Sequence, residues 1–172
     1  MIASLFSVDQ QGGMGLDGSM PWPLDPEDMR WFRELTKGQV VIMGRRTWDD
    51  PLMPKPLPGR TCVVVTTRAI DGVETINGDV IAGVLDAQRR YADKNIFIIG
   101  GAGLLAETRV LCEQAHIALR SGIADTDVRM DLRKYLQGFQ MIWSRQTTAC
   151  PDITFRTYKN QDAFTWNNTS TL

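Results

Sequence analysis

Residues 40–48, Val-Val-Ile-Met-Gly-Arg-Arg-Thr-Trp, carry the clearest signal for the fold. A short apolar run without polar alternation ends at Gly44, and a helix start follows at once. Four other apolar runs are predicted strands: residues 3–8, 62–65, 96–99 and 115–119. Most are continuous like the first, which is typical of strands buried on both faces of a mostly parallel sheet.

Candidate helices alternate with these strands along the chain. They are residues 26–36, 46–50, 81–91 and 103–112. After residue 120 the pattern changes to a short helix and two runs suited to antiparallel pairing: residues 130–136, 141–145 and 154–158. We therefore predict an α/β fold, with one mostly parallel sheet, an antiparallel C-terminal edge and helices on both faces.

The composition predicts a single globular domain. The chain has 172 residues, of which 43% are hydrophobic and 23% charged, enough apolar material for one core in a chain too short for two. We place the domain over residues 1–159 and a polar tail over residues 160–172. The net charge of -1 provides no basic surface to hold phosphates non-specifically, so nucleic acid is not an expected partner.

Cysteine and histidine usage argues against a metal site. The three cysteines are widely spaced, contain no C-x-x-C pair and are accompanied by one histidine, His116, for which we expect a structural role. The N-terminal segment lacks the features of a signal peptide, and no run reaches the roughly 18 apolar residues of a membrane span. We expect a cytoplasmic protein without a metal or a membrane partner.

Residues 12–22, Gly-Gly-Met-Gly-Leu-Asp-Gly-Ser-Met-Pro-Trp, form a glycine-rich loop that leads into a helix. Glycines can act as hinges, and the large side chains of Met20 and Trp22 can exclude water, so the composition suits a lid over a pocket. The alternative is an ordinary surface connection whose aromatic residue fills the core. Composition alone leaves the two interpretations equal.

A carboxylate lies on the apolar face of the helix that follows this loop. Asp25 suits the N-cap and Pro26 the first helical position, which puts Asp28 at N3. Helical spacing then places Asp28 on the same face as Trp31 and Leu35. Capping the helix is the simpler role for such an acid. We favour a second role, as partner of a cationic or amidine-like ligand edge.

Three predicted strands end in residues suited to binding phosphate. These residues are Gly44, Arg45 and Arg46, then Thr66, Thr67 and Arg68, and finally Gly100, Gly101 and Gly103. Helix N-termini and guanidiniums attract anions, and in open α/β sheets ligands bind beyond the carboxyl ends of the strands. The G-x-G-x-x-G fingerprint is absent. The arginines favour a cofactor with an additional phosphate, NADP rather than NAD.

Taken in order, the motifs resemble those of the dihydrofolate reductases. The matching residues are Gly15, Met20-Pro21-Trp22, Asp28 with Trp31-Phe32, Val41 to Arg45 with Thr47-Trp48, Pro56 to Arg60, and Ile98 to Gly101. Beyond them only the strand pattern and Asp127 are similar. The resemblance implies an eight-stranded sheet and an enzyme of one-carbon metabolism that reduces 7,8-dihydrofolate to 5,6,7,8-tetrahydrofolate with NADPH.

The resemblance also implies roles for individual residues of the chain, which we expect to be a monomer. Asp28 would hold the amidine-like edge of the pterin and promote protonation at N5, and Met20 and Trp22 would lie on a mobile lid over the reaction. Arg60 would hold the carboxylate of the glutamyl tail. The other substrate contacts would be Leu5, Phe32, Leu57 and Ala118. NADPH would be held by Gly15, Gly44, Arg45, Arg46, Thr47, Thr66, Thr67, Arg68, Gly100, Gly101, Ala102, Gly103, Leu104 and Leu105.

Two positions depart from the family pattern. Ala118 stands where a threonine hydroxyl usually bonds the catalytic acid, and Leu105 stands where a tyrosine commonly contacts the nicotinamide region. These changes predict weaker folate binding, slower turnover or a shifted substrate preference. The alternatives are an NADPH-dependent reductase of another pteridine or of a flavin-pathway pyrimidine, and a nucleotide-binding structural protein of the same fold.

Overall fold

The computed structural model describes residues 1–162, and its centre is an eight-stranded β-sheet. The strands of the chain are β1 (Ile2–Val8), β2 (Gly13–Gly15), β3 (Val40–Gly44), β4 (Thr61–Val65), β5 (Glu74–Ile76), β6 (Ile96–Ile98), β7 (Gln114–Arg120), β8 (Val128–Arg129), β9 (Phe139–Thr147) and β10 (Cys150–Asn160). The α-helices are α1 (Pro26–Thr36), α2 (Arg45–Asp49), α3 (Val80–Arg90), α4 (Ala102–Thr108) and α5 (Leu132–Tyr135). A 3-10 turn, Arg109–Leu111, follows α4 directly.

The strand order across the sheet is β5-β4-β3-β6-β1-β7-β10-β9. β1 lies between β6 and β7 and is parallel to both, and β3, β4 and β5 extend the parallel pairing outward. β10 pairs antiparallel with β7 and with β9, while β2 and β8 form a separate antiparallel pair. The predicted fold, a mostly parallel sheet with an antiparallel C-terminal edge, is confirmed.

Helices cover both faces of the sheet, and this explains the continuous apolar runs. In β3, Ile42 packs in a cluster with residues of α3 and α4, whereas Met43 packs on the opposite face with Trp48 of α2. Trp31 of α1 packs on that second face, against Leu5 of β1. A strand covered on both sides gains stability from an apolar side chain at every position, so no alternation is expected.

The predicted bounds hold best where local capping signals are strong. α1 covers the predicted residues 26–36, because Asp25 accepts hydrogen bonds from the first free N–H groups and Pro26 occupies the first helical position. The helix predicted over residues 103–112 is shorter. The Thr108 hydroxyl donates to the Leu104 carbonyl at 2.7 Å, and the chain then tightens into the 3-10 turn.

Three short strands were not predicted from the sequence. β5 is a three-residue strand at one edge of the sheet, and β2 and β8 pair with each other outside it. Two or three residues are too few for a periodic signal. These strands therefore exist because a partner strand lies beside them, which only the tertiary structure provides.

Residues 1–162 contain no helix that is long and apolar enough to cross a membrane. In the same range the three cysteines are free thiols, and no group of three or more His, Cys, Asp or Glu side chains is placed to hold a metal ion.

Residues 163–172 of the predicted tail lie outside the described residues. The division into a domain and a tail at residue 160 stays a prediction.

Candidate active site

A cavity of about 510 Å³ opens at the carboxyl ends of β1, β3 and β6. Residues singled out in the sequence for substrate and for cofactor meet in its wall. They are Leu5, Gly15, Met20, Asp28, Phe32, Gly44, Arg45, Arg46, Thr47, Leu57, Gly101, Ala102, Gly103 and Leu104. One cavity is thus formed jointly by β1, α1, the residue 12–22 loop and the N-terminal ends of α2 and α4.

Much of the cavity wall is apolar and rich in methionine. Met14, Met29, Leu52 and Met53, which the sequence did not single out, contribute to it. Unbranched thioether side chains adapt to the outline of a bound molecule. A mostly apolar wall with a few directed polar groups suits a flat heterocyclic ligand.

A second cavity, of about 270 Å³, shares Arg45 with the first. Its other walls are formed by Asp49, Thr66, Thr67 and Arg68. Two guanidiniums and two hydroxyls converge there, which is a donor set suited to a phosphate. Arg45 also contacts Asp49, with 2.8 Å between Nε and Oδ2. Arg46 lines only the first cavity, so the structure separates two arginines that are adjacent in the sequence.

Some predicted site residues line neither cavity: Trp22, Arg60, Gly100, Leu105 and Ala118. The Gly100 carbonyl accepts a hydrogen bond from the Gly44 N–H at 2.7 Å, so it joins the turns that follow β6 and β3. Leu105 is fully buried in the core under α4. The contribution of these two residues is therefore to the shape of the cavity and not to its surface.

Arg60 stands beside the first cavity with one nitrogen available. Its Nε donates to the Thr36 hydroxyl at 3.1 Å, and its Nη1 donates to the Pro58 carbonyl at 2.7 Å. The guanidinium lies 5.8 Å from the ring centre of Phe32, which lines the cavity. Within residues 1–162, Nη2 makes no hydrogen bond. An anionic group that extends past Phe32 would meet this donor.

Asp28 is a buried acid in the wall of the first cavity. The Ser7 hydroxyl donates to its Oδ2 at 3.0 Å, and Nη2 of Arg120 donates to the same oxygen at 3.1 Å. Oδ1 accepts no hydrogen bond from residues 1–162. One carboxylate oxygen is thus held by the protein, and the other remains for a ligand.

The environment of Asp28 also changes its acidity. Burial raises its pKa above that of an ordinary carboxyl group, because the charged form loses hydration. Attraction to Arg120 and the hydrogen bonds from Arg120 and Ser7 offset part of this rise. The carboxyl group therefore titrates closer to neutral pH than a surface aspartate, which suits a group that exchanges protons with a ligand.

Ala118 lies next to Ser7, because the two residues are register partners in the β1–β7 pair. The Ala118 side chain is buried in the cluster that contains Trp31 and Phe155. It offers no hydroxyl to Asp28, as the sequence indicated. Asp28 nevertheless does not lack a hydroxyl donor, since Ser7 on the neighbouring strand supplies one.

The residue 12–22 loop is anchored to the segment that precedes α5. The Asp127 carboxylate accepts a hydrogen bond from the Asp17 N–H at 3.1 Å, and the Asp127 N–H donates to the Gly15 carbonyl at 3.0 Å. The Met130 N–H donates to the Gly12 carbonyl at 2.8 Å. Asp127, which the resemblance singled out, therefore holds the base of the loop.

The far end of the same loop reaches over the cavity. The Ser19 hydroxyl donates to the Asp50 carboxylate at 3.1 Å, and both residues line the cavity together with Met20. Trp22 follows, and its ring packs against the guanidinium of Arg120 at 4.7 Å. The loop thus has the position of a lid, and its motion stays a prediction.

His116 lies in the core, as the sequence predicted. Its Nδ1 is 3.0 Å from the Thr157 hydroxyl, and its ring packs near Trp31 and Phe97. Burial lowers its pKa to about 4, so the ring is neutral at physiological pH. It lines neither cavity and has no place in the site.

Comparison with known proteins shows the family of the chain. A family model described as dihydrofolate reductase matches residues 1–160. The chain belongs to the dihydrofolate reductase family. Dihydrofolate reductase type 8 of Escherichia coli is 30% identical over 144 residues, which cover 80% of this chain and 84% of the relative. Dihydrofolate reductase of Mycobacterium leprae is 33% identical over 130 residues, covering 74% and 73%.

A solved structure has the same fold. Dihydrofolate reductase from Enterococcus faecalis, complexed with NADP(H) and RAB-propyl, superposes with a TM-score of 0.76 at 24% identity and covers 94% of this chain and 97% of that one. As a member of the dihydrofolate reductase family, the chain is an oxidoreductase whose cofactor is NADPH.

The structure adds two residues to those that dihydrofolate reductase motifs single out, Ser7 and Arg120. Neither belongs to a motif, but alternation along the strands was an available signal. Ser7 follows Leu5 by two residues in β1, and Arg120 follows Ala118 by two in β7, so each shares a face of the sheet with a predicted substrate residue.

Proposed function

We propose that the chain reduces 7,8-dihydrofolate to 5,6,7,8-tetrahydrofolate with NADPH, and that Asp28 binds the pterin and promotes protonation at N5. The position of Asp28 carries the proposal. It is a buried carboxylate whose Oδ1 is unpaired within residues 1–162, in a cavity that Gly44, Thr47 and Gly101 also line. A reduction that adds a hydride and a proton needs an acid and a nucleotide site in one cavity.

The substrate half of the cavity fits a pterin with a negatively charged tail. Oδ1 of Asp28 would accept hydrogen bonds from the amidine-like N–H edge, which a carboxylate binds well in an apolar setting. Leu5, Phe32 and Leu57 would pack on the ring. Arg60 would bind the carboxylate of the glutamyl tail through Nη2, the donor that its contacts with Thr36 and Pro58 leave available.

The cofactor half fits NADPH, which supplies the hydride when bound. Arg45 and Arg68 in the second cavity would bind the additional phosphate that distinguishes NADPH from NADH. Gly101 and Gly103 would allow the backbone to approach the pyrophosphate. Among residues 1–162, a Cβ at Gly103 would meet nothing within 4 Å, and one at Gly101 would meet only the Thr47 hydroxyl.

Two further roles fall to the protein: Asp28 would exchange a proton with the substrate, and the residue 12–22 loop would exclude water. The pKa of Asp28 is raised by burial, which keeps proton exchange with the substrate favourable closer to neutral pH. Met20 and the rest of the residue 12–22 loop would exclude bulk water from the space between the two ligands. Net consumption of one proton follows, and Asp28 is the acid placed to promote its delivery to N5.

The test is the loss of NADPH absorbance with and without dihydrofolate. We expect oxidation only when both are present, and a rate that drops when a pterin without the glutamyl tail replaces dihydrofolate. Faster turnover of a tail-less pteridine or of a flavin-pathway pyrimidine would contradict the assignment of dihydrofolate. A cytoplasmic location, a monomeric state and the absence of a nucleic-acid partner stay predictions.

A further inference from the structure

Arg120 is a cation in direct contact with Asp28, and the family resemblance gave it no role. It is the last residue of β7 and lies two residues beyond Ala118, on the face of the sheet that α1 covers. Only 14% of its side chain is exposed. A guanidinium in such a place requires a partner, because an unpaired buried charge costs several kcal/mol. Asp28 is that partner, at 3.1 Å.

Arg120 contacts only one oxygen of the Asp28 carboxylate. Nη2 of Arg120 and the Ser7 hydroxyl both donate to Oδ2 of Asp28, and neither reaches Oδ1. The carboxylate is therefore held through Oδ2, and Oδ1 has no hydrogen-bond partner within residues 1–162. An aspartate without these contacts would be free to rotate about its side-chain bonds.

Arg120 has a second contact, with the residue 12–22 loop. Its guanidinium packs on the ring of Trp22 at 4.7 Å, close enough for a favourable cation–π interaction. The same side chain thus touches the acid on one side and the loop on the other. Its Nε is buried and has no partner within residues 1–162, so the side chain is held by these two contacts.

We propose that Arg120 is a positioning residue for the reaction: it fixes Asp28 through Oδ2, presents Oδ1 to the substrate, and connects the acid to Trp22 of the loop. The inference rests on the proposed function, in which Asp28 binds the pterin. It assigns the compensation of the Asp28 charge to Arg120 of β7, while Ser7 supplies the hydroxyl donor that Ala118 lacks.

Other charged and titratable groups around the acid do not replace this role. Asp25 lies nearby as the helix N-cap and tends to raise the pKa of Asp28. The Cys150 thiol donates a hydrogen bond to the Asp25 carboxylate at 3.1 Å, and its pKa is raised to about 11, so the thiol is uncharged at neutral pH. His116 lies on the same strand as Arg120, with its pKa lowered to about 4, and is neutral as well. Arg120 is therefore the cation that faces Asp28 among residues 1–162.

The experiment compares Arg120→Met, which removes the charge, with Arg120→Lys, which keeps it. Arg156→Met is the matched control, because Arg156 lies on the adjacent strand β10 but pairs with Ile117, on the opposite face of the sheet. The carboxyl resonance of Asp28 is followed by NMR against pH in the ligand-free protein and is assigned by its disappearance in Asp28→Asn. Arg120→Gln replaces the methionine variant if that variant fails to fold.

We expect Arg120→Met to raise the pKa of Asp28 by about one unit or more. Arg120→Lys should keep this pKa close to its wild-type value, and Arg156→Met should leave it unchanged. In steady-state assays, Arg120→Met should raise KM for dihydrofolate about tenfold and leave KM for NADPH within about twofold. In Arg120→Met, the alkaline limb of the pH–rate profile should move to higher pH, by the same amount as the pKa of Asp28.

Two outcomes would overturn the proposal: a titration of Asp28 that is the same in Arg120→Met as in the wild type, or an equal shift in Arg156→Met. Because the titration is measured without ligands, it tests Arg120 even if the wild-type protein fails to reduce dihydrofolate. That second failure would count against the proposed function alone.

Discussion

Arg120 and Asp28 form an ion pair inside the active site, although 92 residues separate them in the sequence. Both side chains are largely buried, at 14% and 12% exposure. Removing one partner of such a buried pair strongly destabilises the folded protein, since the other charge is left without compensation. The pair therefore links the stability of this region to the protonation state of Asp28.

Asp28→Asn should lower the rate of dihydrofolate reduction at pH 7 by about a hundredfold or more, because the amide cannot promote protonation at N5. Part of the activity should return at low pH, where the substrate takes its proton from solvent. Glu34→Gln is the control. Glu34 lies on the exposed side of α1, 3.9 Å from Arg30, and its loss should leave the rate unchanged. Full activity of Asp28→Asn at pH 7 would refute the assignment of the acid.

Ser7→Ala should weaken the binding of dihydrofolate or of a 2,4-diaminopteridine inhibitor by about tenfold or more, because a hydrogen bond to a charged group typically contributes 1.5–3 kcal/mol. Ser7 and Ala118 are register partners, so Ala118→Thr in the Ser7→Ala background should restore part of the affinity. NADPH affinity is the internal control and should not change. Calorimetric titration measures both ligands, and equal pterin affinity in all variants would show that neither position donates to Asp28.

Arg68→Gln should weaken NADPH about tenfold or more relative to NADH, since Arg68 lines the second cavity, where the additional phosphate would bind. Arg46→Gln is the matched variant, because Arg46 lines only the first cavity. It should change the affinities for the two cofactors by the same factor. Fluorescence titration of each variant with each cofactor decides this, and an equal effect of Arg68→Gln on both cofactors would place the phosphate elsewhere.

Gly12→Ala should destabilise the protein by more than about 2 kcal/mol and detach the residue 12–22 loop. Gly12 has a φ of +79°, and a Cβ there would lie 1.9 Å from the Met130 carbonyl oxygen. Gly18 has a similar φ of +84°, and a Cβ there would meet no atom of residues 1–162 within 4 Å, so Gly18→Ala should cost only about 1 kcal/mol of backbone strain. Urea unfolding of both variants separates the clash from the strain, and equal losses would mean that the contact with Met130 does not hold the loop.

His116 should make the free energy of unfolding depend on pH between 6.5 and 4. Its pKa is lowered from 6.5 to about 4 in the folded protein by burial. Below pH 6.5 the unfolded chain therefore binds a proton that the folded protein does not, and stability falls as pH falls, by about 3 kcal/mol in full. Relative to the wild type, His116→Gln should remove about 2 kcal/mol of this loss between pH 6.5 and 5. The free energy of unfolding is measured by urea unfolding at each pH. The same pH dependence in His116→Gln as in the wild type would contradict the burial of a neutral ring.

The sequence by itself determined the parts of this protein that depend on local signals. Asp25 and Pro26 define the start of α1, and helical spacing then puts Asp28 on the buried face whatever lies opposite. The continuous apolar run of β3 and the turn at Gly44 likewise predict a doubly covered strand and a ligand-binding edge. Periodicity and capping act within a few residues, so they can be read without a structure.

The tertiary structure decided which groups meet. Ser7 and Arg120 belong to different strands and to no motif, and only the pairing of β1 with β7 brings them to the same oxygen of Asp28. Arg45 and Arg46 are adjacent in the sequence, yet only Arg45 lines the second cavity. Contacts between distant segments depend on strand order and register, and these are set by the packing of the whole chain, which no local pattern encodes.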